Sequence, residues 1–252
     1  MKHDFEALTR QALTEPRTLS TAYSAFWEYP ISNQLLALMQ LGKAEPIATW
    51  PRWKELGRHV KKGAKAIELI MPVFRTVKDE TTKSEDEQDV MFFVARKDWF
   101  GLSATEGQDN IPLPIPGFDT DRMLAALNIK REPCKAISGN SMGYAKTGDR
   151  TVAVSQLGFD KHETLFHECA HILLDPGLSS IDGEDLSRDA REVEAELTAY
   201  LVKSTRGDIA NLQYSRGYIQ NWIDHSTFEK VRFPKVYAAV DTLLKAGRIA
   251  VH

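Results

Sequence analysis

Apolar side chains at helical spacing mark the first fifty residues. They recur every three to four positions over residues 5–12 until Pro16 breaks the pattern, and they return over residues 18–29. A third apolar helix is predicted over residues 33–41, where Gly42 ends it. The chain is therefore predicted to begin with helices rather than with strands.

Two later segments are rich in β-branched and apolar residues, which is typical of strands. Ala66 to Phe74 and Val90 to Trp99 are predicted to pair as an antiparallel hairpin. The residues between them, Lys78 to Asp89, are polar and acidic, which favours an exposed loop. This hairpin is the main sheet that the sequence predicts in the first half of the chain.

Helical periodicity returns in the second half, with short strands among the helices. Asp160 and Glu163 stand at the spacing of a capping box, at the start of the strongest helix. The predicted helices cover residues 122–127, 160–174, 187–204, 215–223 and 234–246, and the predicted strands cover residues 143–144 and 150–154.

A proline-rich stretch separates the two halves. Three prolines alternate with apolar residues within positions 109–117, which favours a stiff extended linker and excludes a helix. We therefore predict two domains: residues 1–115, with a small antiparallel sheet plus helices, and residues 118–252, which are mainly helical. The fold class that follows is α+β.

Composition indicates a globular protein with two cores. Of the 252 residues, 42% are hydrophobic and 27% are charged, and no apolar run approaches the ~18 residues that a membrane span needs. The charged start has no apolar signal region and the chain has two cysteines, so a reducing, cytoplasmic location is expected. The net charge of −3 argues against nucleic acid as a partner of the chain as a whole.

One segment departs from this acidic balance. Residues 50–65 contain six lysines and arginines against the single acid Glu55, with two tryptophans among them. Single-stranded nucleic acid is bound by a positive groove together with aromatic faces that stack on the bases. The residues predicted to contact it are Trp50, Arg52, Trp53, Lys54, Arg58, Lys61, Lys62 and Lys65. The alternative is a solvated basic face whose tryptophans belong to the core.

The most specific motif is His167-Glu168-Cys169-Ala170-His171, an H-E-x-x-H pattern inside a predicted helix. Residues four apart lie on one helix face, so both imidazoles can reach one ion, and Glu168 flanks them where it can bond a metal-bound water. We therefore predict His167 and His171 as ligands of a zinc ion, Zn²⁺, and Glu168 as the general base. The alternative is two histidines in a partly buried helix.

A catalytic zinc site needs a third protein ligand and one open position. Glu192 and Glu196 lie one helical turn apart, whereas Glu194 points the opposite way. We favour Glu192 as the ligand and Glu196 as the acid that accepts a hydrogen bond from a ligand histidine. The reverse assignment stays open, and Glu194 is expected to be a solvated surface acid.

Together these residues predict metal-assisted amide hydrolysis. Zinc lowers the pKa of a bound water toward ~7, and Glu168 takes the proton and later delivers it to the leaving amine. Candidate oxyanion donors are Tyr144, Tyr200 and Tyr218. Cys169 is expected to be a small core residue on the back of the helix, and no spacing rule supports Cys134 as a ligand.

Several strings in both halves occur together in one protein family. They are Tyr29 to Leu36, Trp53 to Gly63, Trp99 to Gly107, Gly143-Tyr144, the H-E-x-x-H helix, Glu192 to Tyr200 and Tyr218 to Trp222. Over roughly residues 20–225 the chain resembles the ArdC-type antirestriction proteins. The string W-x-x-L-G-R-x-V-K-K-G, which starts at Trp53, is its most specific part.

The resemblance implies a single-stranded-DNA-binding N-terminal domain and a zincin-like metallopeptidase domain, carried by plasmids, phages or other mobile elements. It also implies protection of incoming DNA from host restriction. A second hypothesis is a zinc-dependent peptidase that cleaves a regulatory or restriction-related protein, which the first domain recruits. A third is a purely structural zinc site with a closed shell of four protein ligands.

Overall fold

The computed structural model describes residues 5–14, 17–78, 87–109, 114–134, 142–157, 160–175, 186–208, 219 and 228–249. This part of the chain mixes helices with small sheets, which confirms the predicted α+β class. It divides into two compact units. The first takes the described residues from Asn33 to Pro112, and the second takes those from Asp4 to Ser32 and from Leu113 to His252. The predicted domains differ from these units in the placement of residues 4–32.

The chain opens with three helices, as the periodicity predicts. They are α1 (Phe5–Thr14), α2 (Arg17–Phe26) and α3 (Ile31–Leu41). Of these helices, α1, α2 and the first two residues of α3 belong to the second unit. The first unit takes α3 from Asn33 onward and then β1 (Ile47–Thr49), α4 (Trp50–Glu55), β2 (Arg58–Val60), β3 (Ile67–Lys78), β4 (Glu87–Gly101) and β5 (Thr105–Gly107). In its larger sheet β4 lies between β1 and β3, and β2 pairs with β5 in a separate antiparallel ribbon.

The hairpin of β3 and β4 confirms the predicted antiparallel pair, but its strands are longer than predicted. Pairing runs from Ile67 opposite Trp99 to Lys78 opposite Glu87, with one irregularity after Ile67. The predicted loop over residues 78–89 is therefore too long, because main-chain pairing does not require apolar side chains. Residues 79–86 lie outside the described part of the chain.

Two side-chain amides of α3 pair with the outer edge of β3. The amide of Asn33 donates to the carbonyl oxygen of Ile70 at 2.8 Å and accepts from its N–H at 2.9 Å. The amide of Gln40 makes the same two bonds with Glu68, at 2.8 and 2.9 Å. These bonds satisfy backbone groups that an edge strand otherwise offers to another chain.

The second unit surrounds a three-stranded sheet with helices. Its later elements are α5 (Thr120–Ala126), β6 (Lys130–Arg131), β7 (Gly143–Lys146), β8 (Thr151–Val154), α6 (Lys161–Leu174), α7 (Arg188–Thr205) and α8 (Phe233–Gly247). β8 is the central strand, parallel to β6 and antiparallel to β7. The predicted elements at these positions are confirmed, whereas the predicted helix over residues 215–223 lies outside the described residues except for Ile219.

The core of the second unit lies between α6, α7 and α8. The face of α8 predicted to be apolar, with Val236, Val240, Leu243 and Leu244, is completely buried. None of the described helices is both long and apolar enough to cross a membrane.

Polar contacts attach the N-terminal helices to the same core. The hydroxyl groups of Thr9 and Tyr237 lie 2.9 Å apart, and the backbone N–H of Ile31 donates to Asp241 at 2.8 Å. Arg248, just beyond α8, donates to the carbonyl oxygen of Trp27 at 2.6 Å. These bonds explain why residues 4–32 belong to the second unit.

Candidate metal centre and nucleic-acid interface

Local capping fixes where the H-E-x-x-H helix begins. The carboxylate of Asp160 accepts from the backbone N–H of Glu163 at 2.9 Å, which is an N-cap bond. The carboxylate of Glu163, at the third helical position, accepts from Lys203 at 3.1 Å. Helix α6 then places His167 and His171 one turn apart on a single face.

Helix α7 lies antiparallel to α6 and brings its acids to that face. Ser187 caps it by accepting from the N–H of Ala190 at 3.3 Å. Nε2 of His167 lies 3.1 Å from Nε2 of His171 and 3.3 Å from Oε2 of Glu192. Nε2 of His171 lies 3.6 Å from the same Glu192 oxygen. Three candidate ligand groups thus converge within 4.8 Å of one another.

These spacings fit a divalent cation. Ligand atoms at about 2.1 Å from a tetrahedral ion lie about 3.4 Å from each other. The three observed separations, from 3.1 to 3.6 Å, lie around that value. Two imidazoles and one carboxylate are also a ligand set that proteins use for catalytic zinc. His167, His171 and Glu192 can therefore hold one ion without a rearrangement of α6 and α7.

Glu196 lies behind the histidines rather than among the converging atoms. Its Oε2 is 3.1 Å from Nδ1 of His167, so a proton on Nδ1 is directed to this carboxylate, and in the neutral imidazole that binds a metal ion Nε2 is the nitrogen that supplies the lone pair. Burial lowers the pKa of His167, but bonds to Glu192 and Glu196 outweigh it and raise the pKa to about 10. The same contacts hold the pKa of Glu192 well below its usual range, through His167 and then His171.

Glu168, the predicted general base, is almost completely buried beside the cluster, at 8% exposure. Burial raises the pKa of its carboxyl group, and the neighbouring His167 and His171 partly offset that rise. Strand β7 passes directly over it, because a Cβ on Gly143 would lie only 3.0 Å from Oε1 of Glu168. The arrangement supplies a carboxylate suited to taking up and returning a proton.

Glu194 does point away from the cluster, but the expectation that it is a solvated surface acid is wrong. Its side chain is completely buried. It accepts from Arg232 through Nη2 at 2.7 Å, Nε at 3.0 Å and the backbone N–H at 2.7 Å. Both faces of α7 are covered by protein, so direction away from the metal does not mean direction toward water.

The remaining predicted side chains lie outside the metal cluster. Cys169 is buried in the core, where burial raises the pKa of its thiol to about 12. Cys134 is partly exposed and does not belong to the cluster. Tyr144 donates its hydroxyl to Glu132 at 2.6 Å. Tyr200 is buried, and Tyr218 lies outside the described residues.

In the basic segment the two tryptophans have opposite environments. Trp50 is 53% exposed, and the ammonium of Lys54 lies 5.7 Å from its ring centroid, a cation–π contact. Trp53 is completely buried, and its indole N–H donates to the carbonyl oxygen of Phe100 at 2.9 Å. The prediction that Trp53 stacks on nucleic acid is therefore wrong, because it is part of the core.

The basic side chains of this segment also divide into two groups. Arg58 donates to both the hydroxyl and carbonyl of Thr105 and to the carbonyl of Gln108, which ties β2 to β5. Lys61 donates to the carbonyl of Ser103 at 3.0 Å, and Arg52 pairs with Glu55 at 2.8 Å. The side chains of Lys54, Lys62 and Lys65 are exposed, and of these Lys54 lies over the ring of Trp50.

Lys203 is a residue of this region that sequence reasoning missed. It lies seven positions after Glu196 on α7, and its side chain is fully buried between Asp160 and Glu163. A signal exists in the sequence, since Lys203 follows the largely apolar stretch 197–202 inside a predicted helix. A charge in such a position needs a buried partner.

Two comparisons with known proteins found similarity to antirestriction ArdC proteins. Residues 6–100 match the model of the N-terminal domain of anti-restriction factor ArdC. The solved metal-free structure of the antirestriction ArdC protein from plasmid R388 shares the fold with a TM-score of 0.54 at 17% identity, covering 96% of this chain and 94% of that chain. Its Mn(II)-bound structure has a TM-score of 0.52 at 18% identity, covering 97% and 98%. No curated protein matches the sequence.

Proposed function

We propose that the chain is an ArdC-type antirestriction protein with two binding activities, which is supported by the match of residues 6–100 to the ArdC N-terminal domain and by the fold that it shares with the solved ArdC protein. The first is binding of single-stranded DNA by the basic segment, residues 50–65. The second is binding of a divalent metal ion by a zincin-like peptidase domain. The observation that carries the second activity is the convergence of His167, His171 and Glu192 within 4.8 Å.

Zinc is the ion that this ligand set favours, because two histidines and one glutamate form a common catalytic zinc site. The solved relative holds Mn(II), so manganese is the competing ion. When bound, either ion supplies Lewis-acid polarisation of a carbonyl group. Glu168 would take up a proton and return it to a leaving amine, and Glu196 would keep the Nδ1 proton of His167 in place.

Titration calorimetry with Zn²⁺ and Mn²⁺ tests the metal centre. Glu192→Gln should weaken binding of the preferred ion by more than about 100-fold, and Glu196→Gln by about 10- to 100-fold, the usual cost of losing a carboxylate behind a ligand histidine. Glu229→Gln changes an exposed carboxylate elsewhere and serves as the control. Equal affinities in all three variants would exclude this ligand set.

The DNA-binding activity is assigned to Trp50 and the exposed lysines of the same basic segment. An exposed indole stacks on unpaired bases, and exposed ammonium groups at positions 54, 62 and 65 contact phosphates. This surface omits Trp53, Arg58 and Lys61, whose side chains are engaged within the first unit. The net charge of −3 does not reveal this local positive charge, because acidic residues elsewhere in the chain outweigh it.

Fluorescence anisotropy with a labelled oligo-dT strand tests this surface. Trp50→Ala should weaken binding about 5- to 150-fold, the range for one lost stack. The double variant Lys62→Ala/Lys65→Ala should reduce the slope of log affinity against log salt by about 1.4, from two lost phosphate contacts. Lys130→Ala, an exposed lysine of the second unit, is the matched control. A salt slope that stays at the wild-type value in the double variant rules out this DNA face.

The second candidate function is proteolysis of a regulatory or restriction-related protein, and the buried Glu168 beside the histidines favours it. Glu168→Gln should keep the metal and lose cleavage. Transfer of a plasmid into a restricting host measures the biological effect in the same variant. If protection survives in Glu168→Gln, peptidase chemistry is not the basis of antirestriction.

A further inference from the structure

A buried ammonium group lies near the candidate metal centre and outside its ligand set. Lys203 of α7 has a fully buried side chain. Its Nζ donates to Oδ2 of Asp160, the N-cap residue of α6, and to Oε2 of Glu163 at 3.1 Å. One side chain of α7 therefore holds two carboxylates in the first turn of the helix that carries both histidines.

The same two helix faces carry this ion pair and the metal cluster. Along α6, Glu163, His167 and His171 follow one another at steps of four. Along α7, their partners lie at Lys203, Glu196 and Glu192, in the opposite order. The contacts thus form a ladder between antiparallel helices, with the metal cluster at one end and Lys203 at the other.

The electrostatics of this ladder depend on Lys203. Burial raises the pKa of Glu163 to about 7, the ammonium of Lys203 opposes that rise, and the charge of Glu196 adds to it. Burial alone lowers the pKa of Lys203, but its bonds to Asp160 and Glu163 reverse the shift. Removing the ammonium would leave the half-buried carboxylates of Asp160 and Glu163 without this counter-charge, and Glu163 would still feel the charge of Glu196.

We propose that Lys203 is a positioning residue for the metal centre. By holding Asp160 and Glu163 it sets the position of α7 along α6, and this keeps Glu196 on Nδ1 of His167 and Glu192 beside both imidazoles. The inference rests on the proposed function, because it presupposes that His167, His171 and Glu192 bind an ion. It adds a determinant of metal affinity that touches no ligand.

Co²⁺ is a suitable probe, because its visible spectrum reports the geometry of its ligands. Lys203→Met should weaken Co²⁺ binding about 10- to 100-fold and change the visible bands, as expected for loss of a group that orients ligands. Lys203→Arg keeps the charge and should restore affinity to within about tenfold of the wild type. Affinities are measured on the full chain by titration at a temperature where thermal unfolding shows each variant to be folded.

Arg232→Met is the matched control. It breaks the other buried ion pair of α7, with Glu194, on the face directed away from the metal. This variant should unfold at a lower temperature while its Co²⁺ affinity stays within about threefold and its spectrum is unchanged. If Arg232→Met loses as much affinity as Lys203→Met, general destabilisation explains both, and the positioning role of Lys203 is wrong.

The remaining outcomes distinguish the proposed metal centre from the proposed role of Lys203. A wild type that binds no Co²⁺ overturns the metal centre, and the role of Lys203 with it. A wild type that binds Co²⁺, with Lys203→Met unchanged in affinity and spectrum, overturns only the role of Lys203. If Lys203→Met does not fold, the milder Glu163→Gln carries the test: a loss of about 2- to 10-fold supports the ladder, and no loss overturns it.

Discussion

Gly143 is the point at which β7 packs directly on α6, and one added methyl group tests that packing. A Cβ there would lie 2.7 Å from Cγ2 of Thr164, 2.8 Å from the carbonyl oxygen of Ala153 and 3.0 Å from Oε1 of Glu168. Favourable contacts between carbon atoms lie at about 3.5–4.0 Å. The Ala153 oxygen belongs to the backbone of β8 and cannot rotate away, so β7 itself must move.

We expect Gly143→Ala to lower the free energy of unfolding by about 1–3 kcal/mol, the usual cost of an added carbon in a packed interior. The φ angle of Gly143 is not positive, so alanine adds no strain of its own and the whole effect comes from the contacts. The methyl group also presses on Glu168, and any peptidase activity should fall by more than about tenfold. Metal affinity should stay within about threefold, because the strand that has to move, β7, carries none of the candidate ligands, which lie on α6 and α7.

Urea unfolding followed by circular dichroism measures the stability change. Gly148→Ala is the control, since a Cβ at that position meets nothing within 4 Å. Its free energy of unfolding should stay within about 0.5 kcal/mol of the wild type. If both variants unfold at the same urea concentration, β7 does not approach α6 as closely as described, and the proposed effect on Glu168 has no basis.

Four further substitutions test other parts of the structure. Burial raises the pKa of Asp241 to about 6, whereas an unfolded aspartate titrates near ~3.9. Because the folded state holds the proton more tightly, the free energy of unfolding of the wild type should fall by roughly 2 kcal/mol relative to that of Asp241→Asn between pH 4 and pH 7, measured by urea unfolding. A difference between the two proteins that does not change with pH contradicts this. Trp53→Ala should cost about 3–5 kcal/mol of stability and Trp50→Ala less than about 0.5 kcal/mol, measured by thermal unfolding. Equal costs would mean that the two rings are buried to the same extent. Asn33→Ala removes both partners of the Ile70 backbone and should cost about 1–3 kcal/mol by urea unfolding, and no loss would mean that water replaces the amide.

The helices of the second unit could be predicted from the sequence because their signals are local. Asp160 and Ser187 each stand one residue before the helix that they cap, and both accept the expected backbone N–H. The four-residue spacing of the histidines likewise determines a shared face before any tertiary contact is known. Such features need only neighbouring residues, which the sequence contains.

The environments of Trp50 and Trp53 could not be predicted in the same way. Both belong to α4, a six-residue helix. The basic composition of this segment does not indicate a helix, so α4 could not be recognised from it. What separates them is the carbonyl of Phe100, which meets the indole N–H of Trp53 from a strand 47 positions further along the chain. Composition records that two aromatic rings are present, but a distant partner decides which of them is buried.

The burial of Glu194 could not be predicted from the sequence either, although helical periodicity correctly predicts its direction. Spacing separates it from Glu192 and Glu196, but says nothing about what covers the other side of α7. That side meets Arg232, 38 positions away, and α7 also contacts α2 and α8. Because protein covers this side of α7, an acid on this side does not meet solvent and requires a buried partner.

The exposure of the candidate ligand groups supports the proposed catalytic use of the metal centre over a structural one. The side chains of His167 and His171 are each 20% exposed, and that of Glu192 is 38% exposed. Among the residues that the structure describes, the cluster holds three ligand groups, whereas a structural zinc site encloses its ion with four protein ligands. Partial exposure on one side admits water or substrate to such an ion. Glu168 is buried beside the same histidines, so the proposed metal centre would place a carboxylate that can take up a proton next to a water molecule on the ion, which is the combination that hydrolysis requires.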